Sequence, residues 1–128
     1  MRWALALVGS IAATSATAEN VQVDSAVFVE SHSAGETELQ PATQLSRGDR
    51  VVTIVRWNAP RSGSYTLTSE VAPALVLQSA SHGAFEVSTD RGRTWRRVPN
   101  PESIPPGITH LRWQADGSGR LTYRAIVR

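Results

Sequence analysis

The stretch Val51–Pro60, VVTIVRWNAP, decides the fold class. Val51 to Val55 are consecutive β-branched residues, whose restricted χ1 angles suit a pleated strand. Asn58 and Pro60 stop the run, because proline has no N–H to give to a sheet ladder. Outward from this strand the same grammar repeats. On its C-terminal side RSGS is a turn, and YTLTSEV sets Tyr65, Leu67, Ser69 and Val71 against Thr66, Thr68 and Glu70, the alternation of a half-buried antiparallel strand. After Pro73, ALVLQSAS is a further short strand; AFEVST and TWRRV flank DRGR as a hairpin. NPESIPPG is a loop, THLRWQA a strand and DGSG a turn, and RLTYRAIVR ends the sequence with Leu121, Tyr123, Ala125 and Val127 on one face. On the N-terminal side VQVDSAVFVE, Val21 to Glu30, is a strand, and SHSAGETELQPATQLSRGDR is a connection holding one short strand.

About seven to nine short strands at spacings of roughly 8 to 12 residues predict an all-β sandwich or barrel. The absence of an internal repeat argues against a propeller or solenoid. A length of 128 residues allows one domain with a modest core. Its first part is read as a leader: MRWALALVGSIAATSATA has one positive charge at Arg2, an apolar run, and Ala16-Thr17-Ala18 as an A-x-A cleavage site. The expected organisation is a signal peptide over 1–18 and one domain over 19–128. The apolar run is shorter than the roughly 20 residues needed to cross a bilayer, so cleavage is favoured over anchoring. No Cys is present, which leaves a hydrophobic core rather than disulfides to hold an exported domain. All thirteen basic side chains are Arg. Without Arg2, twelve arginines face eleven carboxylates, and a net charge of +1 does not point to nucleic acid.

The hairpin STDRGRTW, Ser88 to Trp95, fits S-x-D-x-G-x-T-W and resembles the Asp-box of sialidases and related β-propellers. Each residue type has a folding reason: Asp90 accepts backbone N–H groups of its own turn, Gly92 takes positive φ, Thr94 closes the loop and Ser88 adds a bond. Trp95 is expected to leave this turn toward the core. In propellers the motif is repeated and lies away from the catalytic centre, so the resemblance implies a fold element, and a single copy cannot build several blades.

Catalysis finds no arrangement to use. The carboxylates Asp49 and Asp116 sit beside turn glycines and Asp90 lies in the hairpin, no nucleophile elbow surrounds a serine, and His32 and His82 lie in polar connections while His110 enters a strand. Three histidines so spaced, without Cys, also predict no metal or other cofactor. The chain is therefore read as non-catalytic. The candidate ligand-binding residues are Arg91, Arg93, Trp95 and Trp113. Exposed indoles would make a glycan platform and buried ones core pillars; their place within strands favours core or half-buried packing, with Arg stacking on an indole face beside it. The arginines would suit an anionic polymer, but a charged edge that blunts sheet pairing is the favoured reading.

The segment LSRGDRVVTIVRWNAPRSGSYTLTSEVAPALVLQSAS, residues 45 to 81, resembles the conserved Ig-like repeat domain of unknown function in bacterial exported and surface proteins. Gly48-Asp49, the strand Val51 to Trp57, Asn58, and Pro73 with Leu75 match its order of signals, and the likeness extends over residues 21 to 128. It implies an immunoglobulin-like Greek-key β-sandwich and no catalytic residues. This chain holds one copy, lacks the usual Thr-Gly after Asn58, and has no Lys for the Lys–Asn cross-links of some surface domains. The expected role is an exported structural or protein-interaction module of the periplasm or surface of a Gram-negative bacterium, with an envelope protein as partner. A carbohydrate-binding module is the alternative. No transmembrane segment is expected after leader cleavage.

Overall fold

A computed structural model describes residues 11–14, 21–58, 64–81, 85–100 and 103–128, the backbone only for 11–14 and Ser33. The expected leader therefore falls outside the described residues apart from 11–14, as does His82. The strands are β1 (Ile11–Thr14), β2 (Gln22–Ser33), β3 (Glu36–Pro41), β4 (Arg50–Asn58), β5 (Ser64–Glu70), β6 (Leu75–Ala80), β7 (Phe85–Ser88), β8 (Arg96–Val98), β9 (His110–Asp116) and β10 (Gly119–Val127). Nine of them, β2 to β10, form an open sandwich of two antiparallel sheets. One runs β3-β2-β4-β10-β6, the other β5-β9-β7-β8, and the short β1 lies along the outer side of β5. This is the all-β sandwich that the strand pattern predicts.

Alternation along each strand builds the core. Tyr65, Leu67 and Ser69 of β5, Leu111, Trp113 and Ala115 of β9, and Leu121, Tyr123, Ala125 and Val127 of β10 are all buried. The central strand supplies Val51, Val55 and Trp57 to the same cluster, while Val52 is buried on the opposite side of its sheet. Trp57 and Trp113 meet between the sheets with ring centroids 5.8 Å apart and planes tilted by 49°. Such tilted contacts are favoured by the ring quadrupole. Gly119 faces Trp57 across the β4–β10 ladder, and a Cβ on it would stand 2.9 Å from the indole Cζ2. The missing side chain is what admits the indole at this point.

The connection after Glu30 folds more regularly than its composition suggests. β2 continues to Ser33 and turns directly into β3, with Ser33 paired to Glu36. The two loop residues, Ala34 and Gly35, both have positive φ, 53° and 81°. That is the type I′ conformation, whose twist matches the flanking strands, reached here with Ala where Asn or Gly is usual.

Candidate functional site

The β7–β8 turn is a closed network. Ser88 Oγ donates to Asp90 Oδ1 at 2.7 Å and accepts the Gly92 N–H at 2.8 Å and the Asp90 N–H at 3.3 Å. Asp90 in turn accepts the Thr94 N–H on Oδ1 at 2.9 Å and the Thr94 hydroxyl on Oδ2 at 2.6 Å. The hydroxyl and the N–H of Thr94, followed by the Ser88 hydroxyl, hold the Asp90 carboxyl far below the usual carboxylate range. Gly92 has φ of 86° and Arg91, beside it, φ of 62°, a left-handed conformation uncommon for a side chain of that size. The strained residue is tied down, because its N–H donates to Thr109 Oγ1 at 2.9 Å and that hydroxyl donates to the Ser88 carbonyl at 3.2 Å. Ser88, Asp90, Gly92 and Thr94 thus spend their polar groups on the turn itself.

Trp95 does not enter the core. It is half-buried, and the Arg112 guanidinium carbon lies 4.2 Å from its ring centroid. Arg112 projects from the outer face of β9, since its neighbours Leu111 and Trp113 point inward. Glu86, opposite Arg112 on β7, fixes the guanidinium in a two-pronged pair, Nε to Oε1 and Nη2 to Oε2, each 3.1 Å. The β7–β9 pairing and the β7–β8 hairpin bring these three side chains together, and no local motif announces Glu86 or Arg112. Trp113, the other candidate ligand-binding indole, is 2 % exposed and packs on Trp57, so it presents no face to a ligand. The physical reason is parity: Arg112 and Trp113 are adjacent in one strand and must face opposite sides. The indole N–H groups of Trp57 and Trp113 have no hydrogen-bond partner among the described residues.

Two hollows flank the turn. Trp95, Thr89, Thr94, Arg96, Pro105 and Pro106 border one of about 370 Å³, together with Val87. A larger cleft of about 650 Å³ is walled by Val71, Leu75 and Ile108 and carries Arg91, Arg128, Glu70 and His110. Arg128 is anchored by its Nε to the Pro73 carbonyl at 2.9 Å. Arg93 is exposed on the turn. Among the described residues no three His, Cys, Asp or Glu side chains converge as a metal site, and no helix is long and apolar enough to cross a membrane. Asp49 accepts the Ser46 N–H at 2.8 Å, a turn-stabilising contact. His32 is engaged by Thr37 and Glu30, and His110 by Thr109.

The sheet edges differ in a way that matters for recognition. An uncovered edge strand offers unpaired N–H and C=O groups to other chains, and proteins blunt such edges with charge, proline, bulges or shortness. β8 has three residues, two of them arginines, and runs into Pro99. β3 carries Glu36 and Glu38 and ends at Pro41. β6 pairs with β10 through a register shift at Arg124/Ala125. β5 has none of these devices within its seven residues apart from the terminal Glu70, and β1 pairs with only Thr66 to Ser69. No protein-family model matches the chain, and neither a curated protein nor a solved structure is significantly similar to it.

Proposed function

We propose that the domain is an exported, non-catalytic interaction module of the cell envelope that recognises protein partners by adding a strand to the edge of β5. The observation that carries this reading is the contrast among edges: three are defended, and the fourth has a strand laid along it. Strand addition takes its affinity from main-chain hydrogen bonds and its selectivity from alternate side chains, so it needs no catalytic or metal chemistry. The resemblance to Ig-like domains of bacterial exported proteins supports the same reading. Export to the periplasm or surface of a Gram-negative cell rests on the leader-like residues 1–18.

The test is a pull-down from envelope extract with the exported protein as bait, beside Thr66→Lys/Thr68→Lys. Both threonines face outward on β5, so lysines there block pairing without entering the core. A protein retained by the parent and lost with the lysine pair supports the proposal. Equal retention by both overturns it.

A glycan-binding role for the outer face is the second reading, favoured by the half-exposed Trp95 beside its hollow and the Arg112 stack. Binding on a polysaccharide array that disappears in Trp95→Ala would select it.

A further inference from the structure

We infer that the occupant of the β5 edge is a second copy of this chain, and that the leader doubles as a cap that keeps the edge closed until export. The inference rests on the reading of β5 as an acceptor edge and adds who pairs with it and when. β1 lies within the residues that the leader occupies, and it pairs antiparallel with β5, Ile11 opposite Ser69 through Thr14 opposite Thr66. A strand on that side excludes any other. Cleavage after Ala18 removes β1 and leaves the whole of Ser64–Glu70 as the outermost strand of its sheet.

The bared strand is complementary to itself. Two copies related by a two-fold axis through Leu67 align along all of β5, with Ser64 opposite Glu70, Tyr65 opposite Ser69 and Thr66 opposite Thr68. Residues that face the core in one copy then meet residues that face the core in the other, as the two-residue period of a sheet requires. No like charges oppose each other, and the outer face gains two Thr–Thr pairs of the kind that stabilise cross-strand contacts. Both four-stranded sheets become one continuous sheet. β3 lacks this property: with six residues, its full-length self-pairing sets Glu36 opposite Pro41 and Glu38 opposite Leu39, so residues of opposite faces would have to meet. An isologous contact of this sort closes after two copies and does not propagate into a fibre.

The experiment reads oligomeric state by sedimentation on protein exported from the full-length chain and trimmed by the cell. The parent is expected to be a dimer. Thr66→Lys/Thr68→Lys places lysines opposite lysines twice across the seam and is expected to weaken association by at least about tenfold. Thr66→Lys/Thr68→Glu changes the same two positions, but sets a lysine of each copy against a glutamate of the other, and is expected to restore the dimer. Equal melting temperatures for the two variants exclude misfolding as the cause. The leader is tested by Ala16→Arg/Ala18→Arg, which blocks cleavage, with the detergent-extracted full chain expected to be monomeric. A dimer in that variant overturns the capping role. A monomeric parent, or a dimer indifferent to the lysine pair, overturns the self-pairing. If that monomer still captures an envelope protein through β5, the acceptor edge stands and only its occupant is wrong.

Discussion

Arg112 and Trp113 are neighbours in one strand and live in different solvents. Arg112 stands on the outer face, clasped by Glu86 and stacked on Trp95; Trp113 is sealed between the sheets against Trp57. The outer group is held by directional contacts open to water, where an exposed cation–π contact contributes about 0.5–1 kcal/mol. The inner group is held by packing, where a large aromatic counts for several times as much. The two faces of the four-stranded sheet are therefore separable: one carries stability, the other is free to carry recognition. The strongest way to break that division is Trp113→Ala. It should cost about 3–5 kcal/mol, read as a lowered denaturant midpoint, because it empties the centre of the sandwich. A loss as small as that of an outer-face variant would mean the indole is not a pillar.

A subtler change inside should still outweigh most changes outside. Gly119→Ala adds one methyl where Trp57 Cζ2 lies 2.9 Å away, and overpacking of this kind costs about 1–3 kcal/mol. Trp57→Phe in the same background should recover part of that loss, since it withdraws the benzo ring of the indole. Full additivity of the two variants would show that the clash had been relieved elsewhere.

The Asp90 turn sharpens the comparison through pH. Its carboxyl is depressed in the folded state by the Thr94 and Ser88 bonds, so its contribution is complete above the unfolded carboxylate pKa of about 4. It fades as the pH falls below that value toward the folded pKa. Asp90→Asn should melt below the parent at pH 7, and the two melting curves should converge in acid. A constant gap down to about pH 2 would mean that the charge is not what the turn uses. Trp113→Ala, by the same logic, should show a gap that the Asp90 titration leaves unchanged.

How far the sequence discloses this division depends on the range of the interaction. Strand positions and inward faces are legible because alternation is local: Tyr65, Leu67 and Ser69, or Leu121 through Val127, are buried as their period requires. The Asp90 turn is equally legible, since Ser88, Asp90, Gly92 and Thr94 bond within seven residues. The β2–β3 hairpin is not, because its turn is built on Ala34 at φ 53° instead of the Asn-Gly that marks such turns. Glu86 and Arg112 meet through the β7–β9 register, which no short stretch encodes, and Trp95 joins them from the β7–β8 hairpin. Trp95 follows its turn into the outer face for the same reason: Arg112, seventeen positions on, offers a stacking partner there.

That stack supplies the smallest and most discriminating change. Trp95→Ala removes a half-buried ring but leaves the two-pronged Glu86–Arg112 pair in place, so the guanidinium keeps its position without its aromatic support. The expected cost is about 0.5–1 kcal/mol, the scale of an exposed cation–π contact. Arg112→Ala ends the same stack and the Glu86 pair with it, so it should cost more than Trp95→Ala, and the double variant should lose less than the sum, because each single change already ends the stack. Strict additivity would mean that ring and guanidinium are neighbours without coupling. With folding so little disturbed, any loss of ligand binding in Trp95→Ala belongs to recognition on the outer face. Trp113→Ala could not support that conclusion, because it would remove the fold along with the function.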